Sequence, residues 1–226
     1  MSAQKTAEID AKPLAGEDAR IERTRARLAE AVLSLAAERD IRTVSVAELT
    51  RRAGIHRGTF YGHAATPVEL LAGVLAGELD EVRGHTLDQL ERDGLLLRDL
   101  ARTTLRELID HVLKHEAVYG GAGRASSTFV LRVVLAEHVE QSVLILLRKG
   151  FTDPPSADSG AAALYAAFLA HGVAGAVEAW LRLPAPRDRD MLMAAVEAMY
   201  PSWYAPDRGP RSVTQSAQIK TKGVTP

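Results

Sequence analysis

Between Gly54 and Leu71 the chain reads GIHRGTFYGHAATPVELL. Arg57, Thr59, Tyr61 and His63 alternate there with Gly58, Phe60 and Gly62. These side chains suit recognition better than bond breaking. A guanidinium pairs bidentately with guanine, and threonine offers a hydroxyl and a methyl group. Tyrosine and histidine present polar tips at phosphate height. Each glycine costs about 1 kcal/mol relative to alanine in a helix interior. A core helix has no use for them, whereas a helix that presses its backbone against a sugar–phosphate wall does.

Other candidate chemistry is weaker. Glu107, His111 and His115 follow at i, i+4 and i+8. Two imidazoles so spaced can grip a metal, but the chain has no cysteine to assist them, and a structural or solvated role is the expectation. No G-x-S-x-G, H-E-x-x-H or G-x-x-x-x-G-K-[ST] occurs, so no enzyme is predicted, and neither a metal site nor a cofactor is expected.

The 226 residues allow one large or two small domains. Lack of cysteine removes disulfides, thiolate catalysis and thiol redox sensing. The polar opening MSAQKTAEID has no signal-peptide character. Ser159 to Val177 carries no formal charge at neutral pH and is long enough for a bilayer. Its Ala/Gly content and His171 favour a buried helix of a soluble, cytoplasmic protein. Net charge is −1, yet Arg20 to His63 holds nine arginines against five acids. A basic N-terminal third on a mildly acidic body suits a polyanion partner.

Period-2 alternation is absent and apolar residues recur at helical spacing, so the fold is predicted all-α. Residues 1–19 read as a flexible N-terminal arm. Arg20 to Arg39 reads as the first helix, with Ile21, Leu28, Val32 and Leu35 on one face. SVAELTRRAG is a short second helix with a Ser45–Glu48 capping box, ended by Gly54. The third helix is expected over Ile55 to His63, within the stretch quoted above. Thr66-Pro67-Val68-Glu69 opens the fourth with a second capping box. Further helices are expected at about 96–119, 128–149, 161–183 and 188–200, with a disordered tail over 205–226.

Three helices within about 45 residues, the middle pair joined by a glycine turn, predict a helix-turn-helix over 20–66. Residues 25–71 resemble the DNA-binding domain of TetR/AcrR-family transcriptional regulators. The match lies in the Ala53-Gly54-Ile55 turn, in Gly58-Thr59-Phe60-Tyr61, in His63, and in the fourth-helix start with Glu69-Leu70. Leu169 to Leu181 resembles the family's penultimate helix. Three positions depart from the pattern: His56 where Ser or Thr usually caps, Ala64 where an aromatic usually follows the histidine, and Pro67 near the usual lysine.

The resemblance implies an all-helical homodimer that binds a palindromic double-stranded DNA operator, most often a repressor released by a small-molecule effector. Thr43, Ser45, Arg57, Gly58, Thr59, Tyr61, His63 and Thr66 are the expected DNA-binding residues. Arg20, Arg23 and Arg25 are candidates to sweep an adjacent groove. Residues 67–204 are expected to form the helical effector-binding and dimerisation domain. Leu108, Val112, Tyr119, Phe129, Leu135 and Val139 are expected around a mainly apolar pocket. Phe168, Gly172, Val173, Ala176, Trp180, Met191, Ala195 and Met199 are expected at a four-helix dimer interface. The alternative is a helical homodimeric small-molecule or protein-binding module that has lost DNA binding.

Overall fold

The helical periodicity of the sequence is realised in the described residues. The computed structural model describes the backbone of residues 7–93, 97–120 and 124–204, and the side chains of 18–85, 87–88, 92, 97–120 and 132–204. Among the described residues there are nine α-helices, one 3₁₀ turn and no strand. They are α1 (Ala7–Glu38), the 3₁₀ turn (Ile41–Thr43), α2 (Val46–Ala53), α3 (Arg57–Phe60) and α4 (Pro67–Asp93). After these come α5 (Leu97–Lys114), α6 (Glu116–Gly120), α7 (Arg124–Arg148), α8 (Ser159–Leu181) and α9 (Arg189–Met199).

Three expectations change. The first helix begins at Ala7, so residues 7–19 extend it backward instead of forming an arm; their alanines and glutamates are good helix formers. The helix expected over 96–119 is interrupted at His115, between α5 and α6. The third helix has four residues, with Tyr61 to His63 in a turn. The expected disordered tail, 205–226, lies outside the described residues.

The chain divides into two compact units, one from residues up to Gly77 together with 115–131, the other from Glu78–Lys114 together with residues from Arg132 on. The first unit is centred on Leu28, Val32, Leu35, Leu49, Phe60, Leu71 and Leu75, each at most 1% exposed. Its turns are chemically specified. Ser45 Oγ accepts from the Glu48 amide at 3.2 Å and starts α2. The Glu48 carboxylate pairs with Arg39. Gly54 ends α2 at φ 64°, the left-handed conformation that glycine adopts without strain. Thr66 Oγ1 accepts from the Glu69 amide at 3.1 Å, and Glu69 Oε2 accepts from the Ala65 amide at 3.0 Å. That reciprocal pair fixes the start of α4. The short helix α6 packs on α1, burying Val118 and Tyr119.

In the second unit, Leu97, Leu100 and Ala101 of α5 cluster with Val143, Leu146, Ala166, Leu169 and Tyr204. Helices α5 and α8 each pack on α9. Trp180 Nε1 donates to the Asp188 carbonyl at 2.8 Å, tying the end of α8 to the start of α9. Helix α8 is one-sided. Ala166, Leu169, Ala170, Val173, Ala174, Val177, Glu178 and Trp180 face inward, while Leu164 and Phe168 are 73% and 78% exposed. The expectation of a buried helix therefore holds for one face only. Among the described residues α8 is the one helix long and apolar enough to cross a membrane.

Phe60 is the single anchor of α3 in the core. Phe60→Ala is expected to lower unfolding free energy by about 3–5 kcal/mol, read as a reduced urea midpoint with little change in slope.

Candidate nucleic-acid interface and ligand cavity

The surface of α3 follows from Phe60. With that ring fully buried, helical geometry turns Arg57, Gly58, Thr59 and Tyr61 outward, and all four are exposed. His63 is half-buried. A Cβ built on Gly58 would meet nothing within 4 Å, and one on Gly62 would meet only the Thr59 carbonyl oxygen, at 3.4 Å. Neither glycine is demanded by packing inside the protein. Gly58 costs the helix and serves no contact of the folded chain, whereas Gly62 lies in the turn after α3.

Arg57 lies across Tyr61. Its Nη2 and Nε donate to the Tyr61 hydroxyl at 3.0 and 3.3 Å, and its guanidinium carbon stands 5.8 Å from the ring centroid. The Tyr61 ring meets Phe60 edge-on, centroids 5.5 Å apart. A buried aromatic thus supports an exposed one, which supports a cation. Thr43, Ser45 and Thr66 are also exposed. Thr43 Oγ1 donates to the Asp40 carbonyl at 2.7 Å. The Ser45 and Thr66 hydroxyl oxygens are occupied as cap acceptors, and their hydroxyl protons stay available to an acceptor such as a phosphate. His56 precedes α3 without a side-chain cap bond.

The charge excess of this region is less available than its composition suggests. Arg52 binds Glu38 and Ser34, with Nη1 2.8 Å from each; these hydrogen bonds hold the Glu38 carboxyl below its ordinary range. Arg42 is bound by Asp40 and Arg39 by Glu48. Arg20, Arg23 and Arg25 are exposed on α1.

The second unit holds a partly open cavity lined by both apolar and polar side chains. Of the six expected lining residues, Leu108 and Val139 line it. Val112 and Leu135 are fully buried but point elsewhere in the unit. Tyr119 belongs to the first unit, and the Phe129 side chain lies outside the described residues. Periodicity missed the polar part of the wall, formed by Arg83, Thr104, His138, Ser142, Tyr200 and Tyr204. Arg83 and His138 are 55 positions apart, and no short motif joins them.

Arg83 Nη2 lies 3.2 Å from His138 Nδ1 and also binds Asp80. A guanidinium cannot accept, so His138 Nδ1 accepts and its proton sits on Nε2. Burial, then the charge of Arg83, then His111 push the His138 pKa down to about 4, so this ring is neutral at physiological pH. Burial also raises Tyr200 and Tyr204 well above the ordinary phenol range, Tyr204 to about 12; both stay protonated. His111 lies 3.3 Å from Glu78 Oε2, which Lys114 reaches at 2.9 Å. His115 meets the Tyr119 ring edge-on, and Glu107 is half-buried.

Of the expected interface residues, Phe168, Gly172, Met191, Ala195 and Met199 are exposed and Ala176 is half-buried. Val173 and Trp180 point the other way. They are 5% and 3% exposed within the chain itself, Val173 against the cavity; each falls on the inner side of α8 because of its register. Glu178, also inward, is a buried carboxylate. Burial alone would raise its pKa, but hydrogen bonds and charge from Arg132 and Arg182 outweigh that and hold it below the ordinary range.

No protein-family model matches the chain. A 69-residue stretch is 36% identical to the HTH-type transcriptional regulator YxbF of Bacillus subtilis (strain 168), covering 30% of this chain and 18% of that protein. A TetR regulator from Rhodococcus sp. RHA1 aligns over 78% of this chain and 93% of its own, at 19% identity and TM-score 0.51. A TetR-family regulator from Syntrophomonas wolfei str. Goettingen aligns over 81% and 95%, at 14% identity and TM-score 0.52. RolR in complex with resorcinol aligns over 92% and 97%, at 23% identity and TM-score 0.49.

The depressed pKa of His138 has a measurable consequence. Between pH 6.5 and 4 the unfolded chain takes up a proton at this position that the folded chain resists. Stability from neutral His138 is complete above about pH 6.5 and falls by about 3 kcal/mol as pH drops to about 4. In His138→Gln this component is absent, so the gap between the two stability–pH curves narrows over that window; parallel curves would contradict the assignment. The all-helical architecture of this chain is the fold of the TetR-family regulators.

Proposed function

We propose that the chain is a DNA-binding transcriptional regulator of the TetR/AcrR type that acts as a cytoplasmic homodimeric repressor, not as an enzyme. The observation that carries this reading is the α3 surface. Phe60 locks the helix from behind, Arg57, Thr59 and Tyr61 stand outward, and Gly58 leaves open space that the protein does not need. Arg57 is the base reader. Tyr61, His63, Thr43, Ser45 and Thr66 contact phosphates, and Gly58 permits close backbone approach.

A second copy covers the outer face of α8 and α9. Leu164, Phe168, Met191 and Met199 lie exposed there beside Gly172, Ala176 and Ala195, small residues that admit close helix approach. Two such hairpins form a four-helix bundle across a twofold axis. The pair presents two α3 helices to half-sites one duplex turn apart, about 34–36 Å, on a palindromic operator.

The cavity of the second unit takes a small-molecule effector, so its apolar lining and not the sequence-expected residue set defines the site. Helix α4 contributes Arg83 and Leu87 to that cavity, and its N-terminal cap is Thr66. A ligand with differential affinity for two arrangements of the dimer shifts their population. Moving the balance from 1:99 to 99:1 requires about 5.5 kcal/mol of differential binding.

Three measurements test this reading. Arg57→Ala is expected to weaken operator binding by about 1–3 kcal/mol and relax base preference at one position; unchanged affinity and preference would remove Arg57 from the readout. Wild-type affinity is expected to fall at least tenfold between 50 and 200 mM salt, as phosphate contacts require. Phe168→Asp is expected to shift the protein from dimer to monomer in sedimentation, with far-UV helicity retained; a dimer that persists would place the interface elsewhere.

A further inference from the structure

Two residues that line the cavity of the second unit carry unmet donors. Among the described residues, neither Arg83 Nε nor His138 Nε2 has a hydrogen-bond partner, and both atoms are buried. His138 is 4% exposed. Its Nδ1 accepts from Arg83, so its Nε2 carries the proton and is a donor. Arg83 Nε–H is a donor on a permanent cation. A buried donor without a partner costs about 1–3 kcal/mol, more when charged. Two in one cavity is a cost that a bound acceptor removes.

The charge of the acceptor follows from the surrounding groups. Among the described residues Arg83 is the one cation in the wall. Its partner Asp80 is attached through Nη2 and is 64% exposed, so solvent screens it. The neutral His138 ring adds a donor and no charge. One cation and one neutral donor suit a single negative charge spread over two oxygens. A phosphate dianion would need more cations, and an ammonium group would be repelled. The remaining wall is apolar or aromatic, including Leu100, Leu105, Leu108, Val139 and Leu146, apart from the Thr104 and Ser142 hydroxyls, which donate to the Leu100 and His138 carbonyls.

We propose that this cavity takes a small monocarboxylate with an apolar body, its carboxylate oxygens accepting from Arg83 Nε–H and His138 Nε2–H. The aliphatic or aromatic body lies along the leucines of α5 and α7. Charge-assisted bonds of this kind are about twice as strong as neutral ones, so an acid is distinguished from its uncharged isostere. The assignment rests on the reading of this cavity as the effector site only for its consequence at the operator, not for binding itself.

The test uses the full chain with 4-methylbenzoate, hexanoate and octanoate, each titrated calorimetrically against its own primary amide. At least one acid is expected to bind ten times more tightly than its amide. Arg83→Met should abolish that preference. His138→Gln, which retains an acceptor for Arg83, should reduce it severalfold, and it serves if Arg83→Met does not fold. Equal binding of acids and amides, binding of none of the acids, or a preference that survives both substitutions would overturn the proposal. Release of bound operator DNA is scored in the same samples. An acid that binds selectively yet leaves the operator bound upholds the monocarboxylate site and removes its effector role. Amides that release the operator as well as acids do the reverse.

Discussion

A helix of four residues cannot hold itself together in water, because one or two hydrogen bonds do not offset the order they impose. Helix α3 exists because Phe60 is sunk completely into the first unit. That burial fixes the rotation of the helix and thereby decides which side chains meet solvent. Everything proposed for the head depends on it. Turned by one residue, the same sequence would bury Thr59 or Tyr61 and lift a phenylalanine into water. The absence of a side-chain cap at His56 leaves Phe60 with a larger share of the task, supported by the glycine turn before α3 and the capping box after it.

The second unit shows the opposite economy. Most of its interior is leucine, valine and alanine, yet the wall of its cavity includes a guanidinium, an imidazole and two phenols. An interior selected only for stability would have filled or neutralised that wall, since unpaired buried donors are costly. Glu178 is a useful contrast. It is equally buried, but Arg132 and Arg182 satisfy it with bonds at 2.7 and 2.5 Å. The chain therefore satisfies one buried polar cluster and leaves donors unmet in another, and the unmet cluster is the one beside open space.

Much of the head was legible in the chain itself because its signals are local. Ser45 with Glu48, Gly54, and Thr66 with Glu69 act within three or four residues, and the backbone follows them. The rest depended on distance or register. Trp180 and Val173 share α8 with Phe168 and Gly172, and composition alone could not say which face of an Ala-rich helix turns inward. The break at His115 has no glycine or proline to announce it. The pairing of Arg83 with His138 joins α4 to α7, and the cavity wall includes Tyr200 and Tyr204 from beyond α9; no periodicity links such positions. The charge excess of the head was visible, but not that Arg39, Arg42 and Arg52 are each bound by a neighbouring carboxylate.

The central claim is that the surface from Arg57 to His63 is shaped for a duplex groove and is presented twice. Selection of bound fragments from a random pool of double-stranded DNA at low ionic strength tests it most directly. The account predicts enrichment of a palindrome whose half-sites are centred about one helical turn apart, with protection of both halves by one dimer. A pool that returns no enriched sequence, or a single unrepeated site bound by a lone subunit, would contradict it.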